Sequence, residues 1–301
     1  MKKLLFILIF LVGLTFSAVI IFVIHAKLTY QDFYSNSSRL FEIPQIHSGF
    51  TPQGIDYYEN ENLFLLSGYN QGNTSKIFVV YPDQSYREIS ILDTDGKELN
   101  NHAGGLCSYG KYIYLAGCDG KCYILSQDFL KDCKINSTSV IDTFDTYNNA
   151  DFCYIKDNQL YIGEYYYPLM YKTKNTHHFR TPAGDENNAL ITVFALANDL
   201  PFGVSNMPIA VYSITDAVQG MCITDDKEII LSTSVFFAGS RLHYYDFDSL
   251  HNKQCDIFTI NSVSVPLYYL DNEVHHKTKI IPPKSEGIFY HDQEVCKTQL
   301  E

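Results

Sequence analysis

The chain has 301 residues, of which 46% are hydrophobic, and a formal net charge of −12. That apolar content excludes a disordered chain. The acidic balance, with no Lys/Arg stripe to override it, excludes a nucleic-acid binder, because a polyanion is repelled. Tyr (24) and Phe (20) are abundant and Trp is absent, a composition suited to half-buried pleated strands.

Met1-Lys2-Lys3 precedes an apolar run from Leu4 to Ala26, interrupted by Thr15, Ser17 and His25 and by no charge. As a helix it would reach roughly 34 Å, enough to cross a bilayer core. The two lysines favour a cytoplasmic N-terminus. Residues 1–27 are therefore read as a signal-anchor transmembrane helix. Residues 28–38 form a polar stalk, and 39–301 an extracytoplasmic folded domain on the cell membrane. The alternative is secretion after signal cleavage. Against it, signal h-regions span only about 7–15 residues, and a cut after Ala26 would put bulky Ile24 at the third position back.

Five short segments then recur: Gln53-Gly-Ile-Asp56, Gly104-Gly-Leu-Cys107, Ala150-Asp-Phe-Cys153, Gln219-Gly-Met-Cys222 and Glu286-Gly-Ile-Phe289. A turn usually follows each, and then a strongly apolar strand: Leu63–Ser67, Tyr112–Ala116, Leu160–Gly163 and Ile229–Ser232. Two further strand-like runs complete each unit. They are Lys76–Tyr81 and Arg87–Leu92 in the first, Lys121–Ser126 and Ser137–Phe144 in the second, and Ala189–Ala197 and Pro208–Ile214 in the third. The fourth offers Arg241–Phe247, followed by Cys255–Ile260 or Val265–Leu270, with His177–Asn188 and Asn261–Lys284 as insertions. Four short strands per unit, at roughly 40–50 residues, describe propeller blades. The expected fold is all-β: a β-propeller of five blades of about four antiparallel strands. The last unit holds few residues, so Arg39–Ile46 is expected to complete it by pairing near Gly287–Cys296, since an unpaired sheet edge is costly.

Residues that begin innermost strands face a common axis. That places Gln53, His102, Asp151, Gln219 and Glu286 around one channel mouth as a ligand-binding ring. Asp151, Glu286 and His102 are its candidate metal ligands, with Ca²⁺ held through oxygens as the cofactor to consider. Other patterns fail. Asp93-Thr-Asp-Gly-Lys-Glu98 begins like a calcium loop, but its twelfth position is Gly104. His177-His178 and His275-His276 are adjacent pairs in predicted loops and do not share a face. Tyr165-Tyr-Tyr167 after Glu164 is read chiefly as packing between blades, with a binding face as the alternative. Cys107, Cys153 and Cys222 occupy one slot in three repeats and are read as free buried thiols. Cys118 and Cys122 flank a hairpin turn across which a disulfide is conceivable.

The Gln-Gly, Gly-Gly, Gln-Gly and Glu-Gly steps at 53, 104, 219 and 286, each followed by an apolar inner strand, resemble those of bacterial extracytoplasmic β-propellers. The likeness is to the YncE-like, lactonase-like and strictosidine-synthase-like group, over roughly residues 39–301. It implies a propeller fold, in a group holding both metal-dependent hydrolases and non-catalytic binding proteins. The hydrolases' early Glu-Gly step would fall on Glu286, but their companion Asn and Asp ligands find no match, so no catalytic residue is carried over. The expected function is a ligand-binding or protein-interaction module. The alternative is a metal-dependent lactonase or esterase working in the channel. Expected partners are the membrane, through the N-terminal helix, and a small polar ligand or a protein.

Overall fold

The structure, a computed structural model, describes residues 24–25 and 27–299. Nearly all of the apolar run, and with it the expected anchor, lies outside the described residues. Among those described, no helix is long and apolar enough to cross a membrane.

The strands follow the period-two patterning closely. β1 (Thr51–Tyr58), β2 (Leu63–Tyr69), β3 (Ser75–Val80) and β4 (Tyr86–Leu92) form one antiparallel meander. β5 (Gly105–Tyr109), β6 (Tyr112–Ala116), β7 (Lys121–Ser126) and β8 (Ser137–Asp145) form the second. The third is β9 (Phe152–Lys156), β10 (Gln159–Gly163), a loop carrying the two-residue strands β11 (Phe179–Arg180) and β12 (Glu186–Asn187), then β13 (Ala189–Leu196) and β14 (Val204–Ile214). The fourth begins with β15 (Val218–Ile223), β16 (Glu228–Thr233) and β17 (Ser240–Asp246). A hairpin of β18 (Asp256–Ile260) and β19 (Val263–Tyr269) follows, then β20 (His275–Ile281) and a terminal hairpin of β21 (Ser285–His291) and β22 (Glu294–Gln299).

Two expectations need correction here. The fourth meander is completed by β20, antiparallel to β17. The β18–β19 hairpin instead leaves that meander and adds to the third, β19 running parallel to β14. β20 was hidden because it is an outer strand: His275-His-Lys-Thr-Lys-Ile280 is solvent-facing, and only Ile281 of the strand is buried. Nor does Arg39–Ile46 pair as a strand with the terminal hairpin. Pro44 has no donor to offer a ladder, and Gln45 adopts a left-handed backbone at φ 55°. Phe41 and Ile43 instead pack as side chains against a cluster that includes Phe50, Phe78 and Phe289.

The first strands of the units, β1, β5, β9, β15 and β21, stand side by side and close a ring, which makes the chain a β-propeller. Glycine permits this closeness. A Cβ on Gly54 would lie 2.6 Å from Gly105 Cα, one on Gly105 2.6 Å from Cys153 N, one on Gly220 2.9 Å from Ile288 N, and one on Gly287 2.7 Å from Gln53 O. Tyr154 joins β9 to β15 by donating to Ile223 O at 3.1 Å. These contacts also correct the register of the third repeat by one residue. Phe152, not Asp151, stands in the glycine slot, and its ring is housed by Gly163 on the paired strand, where a Cβ would lie 1.9 Å from Phe152 Cζ. Cys153 therefore points back to the second unit, 3.4 Å from Cys107 Sγ, instead of occupying the slot of Cys107 and Cys222. All eight cysteines are free thiols, Cys118 and Cys122 among them. Between the meanders, interdigitated aliphatics fill the interfaces. Leu65, Ile77 and Ile89 of the first, for example, meet Leu106, Ile113 and Leu115 of the second.

Gly105→Ala is expected to destabilise the fold by about 1–3 kcal/mol, because its methyl meets backbone that cannot yield. Urea unfolding of the variant beside wild type measures this, and an unchanged midpoint would contradict the ring.

Candidate functional site

Four entries to inner strands share a device absent from the sequence expectations. Ala103, Ala150, Ala217 and Lys284 all have positive φ, at 49°, 58°, 60° and 62°. Residues with a Cβ seldom adopt it, and such strain concentrates at functional sites. Side-chain latches hold two of them: Asn101 Oδ1 accepts from Ala103 N at 3.0 Å, and Asn148 Oδ1 from Ala150 N at 2.9 Å. Ser75 Oγ donates to Asn101 Oδ1 at 2.7 Å, tying the loop to the third strand of the preceding unit.

The ring contacts align Gln53, Gly104, Asp151, Gln219 and Glu286, each one residue before the close-approach position. Gln53, Gln219 and Glu286 also fall where the ladder to the second strand skips register. A β-bulge of this kind re-aims a side chain, and bulges gather beside active sites. Four of the five residues expected at the channel mouth therefore occupy equivalent places on separate inner strands. His102 does not. Its ring position belongs to Gly104, where a Cβ would lie 2.1 Å from Asp151 O, so no side chain fits. His102 sits in the loop before, stacked on Tyr69 with ring centroids 4.6 Å apart, and burial lowers its pKa. Among the described residues no group of three or more His, Cys, Asp or Glu gathers as metal ligands. His102, Asp151 and Glu286 thus do not assemble the expected set.

The two acids are unusual. Glu286 is 7% exposed, and burial alone raises its pKa to about 8. Burial, opposed by the Tyr165 N–H and reinforced by Glu164, raises Asp151 to about 7. Asp151 Oδ2 accepts from Tyr165 N at 2.7 Å, and the Cys118 thiol donates to the same carboxyl. Tyrosines complete the site. Tyr165, pushed up to about 12 chiefly by burial, lies within electrostatic reach of both Glu286 and Asp151. Its hydroxyl donates to Ser234 O at 3.2 Å, and its ring meets Tyr171 edge-on at 5.5 Å. Tyr69 senses Glu286, Tyr171 and Cys118. Sequence reading missed Tyr69, Cys118 and Ser234, and favoured core packing for Tyr165. The available signal was antiparallel pairing: the end of each second strand must meet the start of its inner strand, and these residues lie at those ends.

The other histidines lie elsewhere. His177 is buried, its Nδ1 2.7 Å from Glu164 Oε1, and Glu164 also accepts from Leu190 N at 3.0 Å and Asn149 N at 3.1 Å. That pair pins the long loop after β10. His275 and His276 belong to β20, where His276 Nε2 meets Glu228 Oε1 at 2.7 Å. Asp56 is a further acid, partly buried, its pKa raised to about 7 mainly by the loss of water around it. It lies farther along β1, where it accepts from Ser108 N at 3.0 Å.

No protein-family model and no curated protein sequence matches the chain. Among solved structures it is similar to Myxococcus xanthus glutaminyl cyclase, with a TM-score of 0.45 and 10% identity over 84% of this chain and 87% of that one. It is similar also to the PQQ-bound aldose sugar dehydrogenase of Streptomyces coelicolor, with a TM-score of 0.44 and 13% identity over 83% and 74% of the two chains. The β-propeller domain of Myceliophteria thermophila Cps50 (Swd1) aligns with a TM-score of 0.38 and 8% identity over 83% and 80%. The propeller assignment rests on the ring of inner strands itself.

A buried acid with a raised pKa binds a proton in the fold that it releases in the unfolded chain, so stability falls as pH climbs from the unfolded value of 4.5 to about 8. Glu286→Gln removes this contribution. Its urea midpoint, measured against wild type, is expected to gain steadily across that window. Parallel curves for the two proteins would contradict the buried, unpaired setting of Glu286.

Proposed function

We propose that the chain is a membrane-anchored, extracytoplasmic, five-bladed propeller that binds a small polar ligand carrying a positive charge at its channel mouth. The observation that carries this reading is that Asp151 and Glu286 hold equivalent places on separate inner strands, with Tyr165, whose backbone N–H donates to Asp151, within electrostatic reach of both. Withdrawing two acids from water near an axis, Glu286 fully and Asp151 in part, is unfavourable for the ionised forms. A cationic group between them would stabilise the carboxylates, and the tyrosine faces would add cation–π attraction. Gln53 and Gln219, re-aimed by their bulges, would supply amide donors and acceptors for orientation. Five inner strands support the blade number, with the terminal hairpin as a short fifth blade. Lys2-Lys3 ahead of the apolar run supports the anchor and its orientation. The acidic net charge of −12 would also draw cations towards the domain.

Calorimetric titration with small organic ammonium probes, tetramethylammonium and putrescine, tests the reading. Affinity is expected to rise with pH through about 7 and 8, as the two acids ionise. Asp151→Asn and Glu286→Gln are each expected to weaken binding by about tenfold or more, ~1.4 kcal/mol, while His275→Ala on the outer strand leaves it unchanged. Affinity that falls with rising pH, or substitutions that are silent at both acids, would overturn the proposal.

A further inference from the structure

Two loops beside the channel mouth expose large apolar side chains. The loop after β10 presents Leu169 and Met170, 81% and 61% exposed, and the loop after β16 presents Phe236 and Phe237, 54% and 82% exposed. They form one patch: Tyr167 meets Phe236 edge-on with ring centroids 5.4 Å apart, and the Tyr165 hydroxyl donates to Ser234 O beneath them. Contiguous exposed apolar surface on a protein marks an interaction site.

The N-terminal segment says what covers the patch. Tyr30 lies against the second loop, its hydroxyl 3.0 Å from where a Cβ on Gly239 would stand. Phe237 shares a cleft of about 850 Å³ with His25, Tyr30 and Phe33. The apolar run of the sequence ends at Ala26, four residues before Tyr30. At about 1.5 Å per helical residue, that interval spans only about 6 Å. Ile24 and Leu28, at 52% and 67% exposed, extend the apolar surface towards the run. Cations accompany it: Lys284 Nζ stands 5.5 Å over the Phe237 ring, and Lys172, next to Tyr171, is exposed.

We infer that the face bearing the channel mouth lies on the lipid bilayer, with Leu169, Met170, Phe236 and Phe237 inserted at the headgroup level. The inference rests on the anchor reading above. An apolar run embedded in lipid would hold the second loop within about one helical turn of the membrane surface, leaving no room for a folded protein between them. Apolar side chains flanked by Lys are the composition of interfacial insertion, with lysines meeting lipid phosphates.

The chain has no Trp, so an introduced indole, excited at wavelengths beyond tyrosine absorption, is the sole emitter. The full chain is reconstituted in phosphatidylcholine/phosphatidylglycerol vesicles as Leu169→Trp, Phe237→Trp and, for comparison, Ile257→Trp on the outer strand β18. Retention after an alkaline wash is scored first, then emission with lipids brominated at graded depths. The inference expects blue-shifted emission at 169 and 237, quenched most by the bromines nearest the headgroups, and water-exposed, unquenched emission at 257. Loss of the chain from the vesicles would overturn the anchor and this inference with it. A retained chain with unquenched indoles at 169 and 237 would overturn the inference alone, whether they stay water-exposed or are blue-shifted by a protein contact. Equal quenching at 257 would do the same.

Discussion

Backbone must meet backbone at the propeller axis, and the rest of the molecule is arranged around that contact. With Gly54, Gly105, Gly220 and Gly287 in the slot, neighbouring inner strands approach to distances at which a Cβ would overlap main-chain atoms. Where the third unit departs, the departure is compensated in place: Phe152 enters the slot and Gly163 gives up its side chain to receive the ring. The contact is therefore a constraint on paired positions and not on glycine alone. It fixes the phase of every inner strand, and through the ladders that of every outer one.

That phase decides which residues can form a site. The position before the slot carries Gln53, Asp151, Gln219 and Glu286, and in three of the four units a bulge turns it out of the regular pleat. The same crowding that closes the ring removes water from the acids, and this is why Glu286 is pushed to about 8 without a charged neighbour. Closure and chemistry thus share one cause. In the second unit Gly104 must be bare because Asp151 O occupies its Cβ position, so that unit contributes Cys118 from the turn after its second strand instead.

Much of this was legible in the residues. The Gly-apolar step repeats, the apolar second strands follow eight to ten residues after each segment begins, and the first three meanders could be read within a residue or two, except that β14 begins at Val204 and not at Pro208. The inner-strand positions of Gln53, Asp151, Gln219 and Glu286 were legible as well, because polar side chains heading inner strands stand out against apolar runs, whereas His102 lies in the preceding loop. Four things were hidden, each for a physical reason. β20 is exposed on both faces, so His275–Ile280 carries no hydrophobic signal. The one-residue shift at Asp151 is invisible locally, because Ala150-Asp-Phe-Cys153 fits either register until the facing strand chooses. The tyrosines at the mouth come from ends of second strands, and Tyr165 looks like core in sequence because tyrosine serves both purposes. The αL alanines carry no signature at all; only their Asn-x-Ala spacing at 101–103 and 148–150 hinted at the latch.

Ring closure withdraws two acids from water at the axis, Glu286 buried and Asp151 partly buried, and raises the pKa of both towards neutrality. Carboxyl-carbon chemical shifts of Asp151 and Glu286, assigned by substitution and followed by NMR against pH, measure it directly. The account expects midpoints near 7 for Asp151 and near 8 for Glu286. Midpoints for both at about 4, the ordinary range for solvated carboxylates, would contradict it.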